Sequence, residues 1–310
     1  MIEARHLRVL RAVSRTGSFS AAARELGCTQ PAVSQQMKAL ESSAGTPLLI
    51  RAGREMRLTE AGEALTRHAA GILAGLTAAE EEVAAIAGLR AGRVRLVSFP
   101  SGISTIVPPA VAGMRAENPG TQISLEEAEP PQSVGMLRSG DCEIALAFRY
   151  PDMRDGEDWG DLVVRHLLTD RLVGLVPSGH RLDTASGPGE PGDPGGGRPV
   201  DMAELADEQW IAGCPRCRGH LVDICEAAGF TPRIDFATDD YPAVAGLVGA
   251  GLGVAMLPEL ALRAVRAKGV AVVDVRPAVR REVVALTLPD LANVPAVSAM
   301  LDRLAYAAMR

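Results

Sequence analysis

Apolar positions near the N-terminus recur every three or four residues, the spacing of helices with one buried face. Leu7, Leu10 and Val13 set such a stripe over 7–16, and Gly17 ends it. Ser20 is the expected N-cap of a short helix over 21–26, closed by Gly27. Thr29 then caps a third helix with Pro31 in its first turn, where a missing N–H costs nothing. Val33, Met37, Leu40 and Ala44 give this helix an inward stripe, and it runs to about Ser43. Its other face carries Gln30, Pro31, Ser34, Gln35 and Lys38. Two short strands, 48–51 and 56–58, follow around Ala52 and Gly53, with Arg51, Arg54 and Arg57 along them.

A longer helical pattern starts at Thr59. Leu65, Ala69, Ile72, Leu76, Ala79, Val83 and Ile86 alternate steps of four and three, a heptad seam that is buried only against another helix. Glu80, Glu81 and Glu82 crowd the opposite side. Beyond Gly92 the spacing changes to strands alternating with helices. Segments 94–98, 123–126 and 143–148 flank helices at 107–117 and 132–139, which predicts a βαβαβ arrangement with a largely parallel sheet. A second series has strands at 171–176, 210–212, 234–237 and 254–257, with helices at 219–228 and 241–250. The chain returns through 270–275 and 283–288 to a terminal helix near 294–309. Between Asp183 and Val200 the sequence is too rich in Gly and Pro to form an element and reads as a surface loop.

Charge sharpens the reading of the first segment. The 310 residues carry 32 Lys and Arg against 38 Asp and Glu, a net charge of −6, yet residues 1–60 hold nine basic and five acidic side chains. A basic module on an acidic protein is the footprint of nucleic-acid binding. Two helices across a glycine turn, the second with an amide- and hydroxyl-rich outer face, form a helix-turn-helix: Gln and Ser suit base edges, and Lys38 suits phosphate or guanine. Ser20, Thr29, Gln30, Pro31, Ser34, Gln35 and Lys38 are the candidate DNA-binding residues there, with Arg51 and Arg54 on a wing against phosphate. No apolar run approaches the roughly 20 residues of a membrane span. Glu3, Arg5 and Arg8 occupy the stretch where a signal peptide would be apolar, and five cysteines make no disulfide framework. A reducing cytoplasm is the expected location.

Three separated motifs carry a resemblance. Ser18-Phe19-Ser20-Ala21-Ala22-Ala23, the run from Thr29-Gln30-Pro31-Ala32-Val33-Ser34 to Leu40-Glu41, and Leu58-Thr59-Glu60-Ala61-Gly62 resemble the DNA-binding region of LysR-type transcriptional regulators. Leu49-Ile50-Arg51 departs from it, since many members place Phe two residues before the Arg. The resemblance implies an α/β protein: a winged helix-turn-helix at 1–58, a linker and dimerisation helix at 59–90, and a periplasmic-binding-protein-like effector domain at 91–310. Its lobe I is expected at 91–165 with 268–310, and its lobe II at 166–267. It further implies double-stranded operator DNA, a small-molecule effector, homodimers or homotetramers and, for an activator, RNA polymerase as partners.

An effector would sit between the lobes, at strand ends and helix N-termini. Ser101 follows the first strand and matches a position where the family holds an effector's polar group. Phe148 and Arg149 leave the strand ending the first series; Arg216 and Cys217 precede a helix in the second. Gln132 and Asp240 end other strands. Arg216 and the helix N-termini favour an anionic effector. Cys214-Pro215-Arg216-Cys217 also reads C-x-x-C, open either to packing beside the pocket or to thiol chemistry. Cys225 falls too far around the helix to complete a zinc set with His220, so no metal or other cofactor is expected. No G-x-S-x-G, Walker loop or H-E-x-x-H occurs, and Gly249-Ala250-Gly251-Leu252-Gly253 follows a helix, the reverse of a dinucleotide turn. The reading is therefore not an enzyme. The rival from another class is a receptor or enzyme whose N-terminal module contacts protein.

Overall fold

A computed structural model describes residues 1–52, 55–86, 92–151, 158–183, 198–265 and 268–309. Arg54 and the Gly/Pro-rich stretch 184–197 lie outside them. The head comprises α1 (Ala4–Thr16), α2 (Phe19–Glu25), α3 (Gln30–Ala44) and the antiparallel pair β1 (Leu49–Ala52) and β2 (Glu55–Leu58). Leu10, Val13, Val33, Met37 and Leu40 meet in its core, the inward stripes read from sequence. One boundary differs: α2 begins before Ser20, because Ser18 is its N-cap and takes the Ala21 N–H at 3.1 Å.

From the head runs α4 (Glu60–Ile86). It meets the head so closely that a Cβ on Gly62 would lie 2.1 Å from the Leu48 carbonyl oxygen, which explains glycine at the end of the Leu58-to-Gly62 motif. The apolar seam on α4 divides. Ala69 is buried, packed with Leu73 against Leu7 of α1, whereas Ile72, Leu76 and Val83 are 53%, 37% and 66% exposed.

The remaining elements are β3 (Arg93–Ser98), α5 (Pro100–Thr105), α6 (Val107–Glu117), β4 (Gln122–Glu127), α7 (Gln132–Arg138), β5 (Ile144–Arg149), β6 (Val163–Pro177), β7 (Val200–Asp201), β8 (Gln209–Ala212) and α8 (Pro215–Ala227). After them come β9 (Arg233–Ala237), α9 (Tyr241–Gly249), β10 (Val254–Pro258), α10 (Glu259–Leu262), β11 (Val270–Val273), β12 (Val275–Arg276), β13 (Arg280–Thr287) and α11 (Pro295–Ala308). Among the described residues they form a nine-stranded sheet, β4-β3-β5-β13-β6-β10-β8-β9 with β11 also on β6, and a small β12-β7 pair. Strands β3, β4 and β5 are parallel, as are β8, β9 and β10. Strand β6 serves both lobes. Its residues 163–171 pair with β13, and 172–177 pair with β10 and β11. The chain thus leaves lobe I near Leu172 and returns between β11 and β13, not at 166 and 268 as expected. Continuous pairing along one long strand moves both crossings.

Candidate DNA-reading face and effector cleft

On α3 the buried positions Val33, Met37 and Leu40 turn the opposite side to solvent. Thr29, Gln30, Pro31, Gln35 and Lys38 are exposed, Ser34 is half-buried, and Ser20 on α2 is exposed beside them. Thr29 holds the extended N-cap backbone, but its hydroxyl makes no cap bond, leaving it directed outward at the helix start. The wing is held in register from two sides. Glu41 Oε1 accepts the Leu48 N–H at 2.9 Å, and the Gly17 carbonyl accepts the Met56 N–H at 2.8 Å. Arg51 and Arg57 are exposed on this ribbon. Leu49 is buried in the head core.

The second candidate site lies between the lobes, where β3, β5, β8 and β10 end. Glu129, Tyr150, Cys214, Cys217, Asp239 and Tyr241 line it, around a free volume of about 30 Å³. That is room for a water or two, so the lobes are closed on each other. Beneath it lies Arg281, its side chain 1% exposed. Its Nε donates to Asp170 Oδ2 at 3.0 Å and its Nη2 to Ser101 Oγ at 2.8 Å. The guanidinium also sits 4.7 Å from the Phe148 ring centre and 5.1 Å from that of Phe99. Asp170 in turn accepts the Leu260 N–H at 3.0 Å. Every charge in this set is therefore paired, the condition for burying it.

Side chains from both lobes meet above this floor. Ser101, on α5, is hydrogen-bonded to the Tyr241 hydroxyl at the start of α9. Tyr150, just past β5, donates to Cys217 on α8 and stacks on His220 with ring centres 3.8 Å apart. Burial pushes the Tyr241 hydroxyl up to about 12. Burial, and next the neighbouring Cys217, pushes the Glu129 carboxyl up to about 8, so it is largely neutral at pH 7. Its Oε2 is enclosed without a hydrogen-bond partner. Helix α8 starts at Pro215, four residues before the expected 219, because Cys214 caps it by accepting the Cys217 N–H at 3.2 Å.

Ser101, Phe148 and Cys217 thus come together at the cleft, with Phe148 in its floor. Four other expected residues do not. Arg149 alternates outward between Phe148 and Tyr150, donating to Glu282 at 2.7 Å and lying over Trp159. Gln132 lines a different cavity, of about 840 Å³, beneath the head beside Arg8, Arg11 and Arg95. Arg216 is absent from the cleft lining, and Asp240 instead caps α9 through the Ala243 N–H at 3.3 Å. The neighbouring Asp239 lines the cleft. Sequence reasoning missed Arg281, Asp170, Tyr150, Tyr241 and Glu129. One signal was available for Arg281: it shares strand parity with the apolar Val283 and Ala285.

Residues 4–63 match the model of the bacterial regulatory helix-turn-helix protein, lysR family, and residues 87–308 match the LysR substrate binding domain. The probable HTH-type transcriptional regulator LrrA of Synechococcus elongatus is 30% identical over 298 residues, 96% of this chain and 94% of that protein. Among solved structures, full-length OxyR from Pseudomonas aeruginosa superposes with a TM-score of 0.71 at 18% identity, covering 98% of this chain and 95% of that one. Full-length CbnR complexed with its target DNA gives 0.51 at 22%, covering 99% and 100%. At these identities the two structures establish the fold alone.

Proposed function

Because the chain belongs to the LysR family of transcriptional regulators, we propose that α3 lies in the major groove of operator DNA, with the wing on the flanking phosphates. Gln30, Ser34 and Gln35 read base edges, while Lys38, Arg51 and Arg54 hold the backbone; Ser20, Thr29 and Pro31 set the approach. The observation that carries this reading is the division of α3 into a buried Val33/Met37/Leu40 face and an exposed amide-rich one. A mobility-shift titration on the duplex upstream of the chain's own gene, in rising salt, tests it against the rival of a protein-contact module. Retained sequence preference supports groove reading; binding to no duplex favours the rival.

The exposed line of Ile72, Leu76, Ala79 and Val83 on α4 supports pairing of two chains through residues 59–90. The effector then occupies the cleft of the 91–310 domain, touching Ser101, Tyr150, Cys217, Tyr241 and Glu129. Binding there shifts lobe closure only by its differential affinity for the two arrangements, and the assembly transmits that to the heads. Glu129 and Asp239 at the cleft, with Arg216 absent from its lining, favour a neutral hydrogen-bonding effector over the anionic one expected from sequence. A homodimer or homotetramer, contact with RNA polymerase for an activator, a cytoplasmic location and the absence of a catalytic step complete the proposal. No described helix is long and apolar enough to cross a membrane.

A further inference from the structure

Of the C-x-x-C segment, effector binding uses Cys217 and leaves Cys214 without a role. The two sulfurs converge at the end of the cleft: Cys214 Sγ and Cys217 Sγ are 2.6 Å apart. Cys214, at the N-cap, also receives the Cys217 N–H, but its bond to Cys217 and its burial push its thiol well up, so the proton of the pair rests on Cys214. Cys217 receives the Tyr150 hydroxyl from the other lobe. Both sulfurs line the cleft, and so does Glu129. The other cysteines are not in the cleft lining: Cys142 and Cys225 are buried elsewhere, and Cys28 is exposed on the head.

We propose that Cys214 and Cys217 are a reversible dithiol–disulfide site inside the effector cleft, oxidised by a hydroperoxide small enough to enter it, with lobe contact following the oxidation state. With the lobes closed, the free volume of about 30 Å³ admits a peroxide and excludes a peptide disulfide. The Cys217 thiolate attacks the outer oxygen of the hydroperoxide. The O–O bond breaks, the alkoxide leaves as the alcohol after taking a proton, and Cys217 becomes a sulfenic acid. Cys214 then attacks the Cys217 sulfur, the S–O bond breaks, and hydroxide leaves as water with the Cys214 proton. The two thiols lose two electrons and the peroxide gains them. The Cys214 partner and the Tyr150 hydroxyl hold the Cys217 thiol down to about 7, with Arg281 adding to the effect against burial, so thiolate is present at neutral pH. Glu129, mostly protonated there, lines the same cleft as the pair. A disulfide sulfur is a poorer acceptor than a thiolate, so oxidation weakens the Tyr150 contact between the lobes.

The deduction about lobe contact rests on the cleft being the effector site; the oxidation itself does not, and the test separates them. The full chain carrying Cys28→Ser is exposed to hydrogen peroxide or oxidised glutathione, then unfolded, alkylated and mapped by mass. The expected result in peroxide is loss of two of the four remaining thiols, joined as Cys214–Cys217 and restored by a dithiol reductant, with glutathione disulfide slower. Cys214→Ser should halt at a Cys217 sulfenic acid trapped by a dione reagent, and Tyr150→Phe should slow Cys217 alkylation at pH 7. A pair still fully reduced in peroxide, or oxidised faster by glutathione disulfide, overturns the proposal. If the disulfide forms but operator affinity and lobe protection from hydrogen exchange stay unchanged, the regulatory half fails while the chemistry stands.

Discussion

Arg281 reaches Ser101 across 180 residues of sequence, donating from Nη2 to Oγ at 2.8 Å inside the protein. The same guanidinium neutralises Asp170, so the cleft floor is one charged unit spanning β13, β6 and α5. Arg281→Met leaves Asp170 buried and unpaired, and should cost about 3–5 kcal/mol of stability in urea unfolding. The double variant with Asp170→Leu should recover much of that loss, because both charges then leave the core together. Additive losses in the double variant would show that the two side chains act separately.

The Glu129 carboxyl gives the protein a pH dependence of definite sign. Its folded value of about 8 lies above the ordinary 4.5, so the native state binds more protons than the unfolded chain between those values. Stability falls as pH rises through that window. Urea midpoints of the wild-type protein should decline from pH 5 toward pH 8 more steeply than those of Glu129→Gln, which cannot ionise. Parallel declines would remove Glu129 as the cause.

The outer line on α4 is apolar and exposed. Replacing Leu76 and Val83, 37% and 66% exposed, by Glu should dissociate the chains in sedimentation equilibrium while leaving the far-UV spectrum intact. Ala69→Glu, at a position packed within the protomer, should instead unfold the head. An oligomer insensitive to the outer pair would place the interface elsewhere.

Arg51 is exposed on the wing, on the phosphate side of the proposed docking. Arg51→Ala should weaken binding to every duplex by a similar factor and reduce the salt slope by about one counterion. Sequence-dependent loss would place Arg51 on a base instead.

The helical head was legible because its signals are local. Pro31, Gly17 and the Val33/Met37/Leu40 stripe each act within a turn or two of chain. The seam of α4 was also visible, but sequence alone did not divide it at Leu73, since the inner half depends on where α1 packs. The cleft was read poorly for the same reason. Ser101 and Cys217 follow strands and were found by position, whereas Arg281 became a site residue only through partners on β6 and α5. In a strand beginning Arg280-Arg281-Glu282 it reads as surface. Arg149 erred the other way: its parity between Phe148 and Tyr150 turns it outward. Ser20 lost its cap role to Ser18 by two residues, a margin that spacing alone does not resolve.

The central claim is that the exposed face of α3 reads bases, and Gln35→Ala tests it most directly. Anisotropy titrations compare the wild-type protein and this variant on the duplex upstream of its own gene and on a scrambled duplex of equal length. The account predicts that the variant loses about 1–3 kcal/mol on the upstream duplex and almost nothing on the scrambled one. Equal loss on both duplexes, or no loss on either, would contradict it.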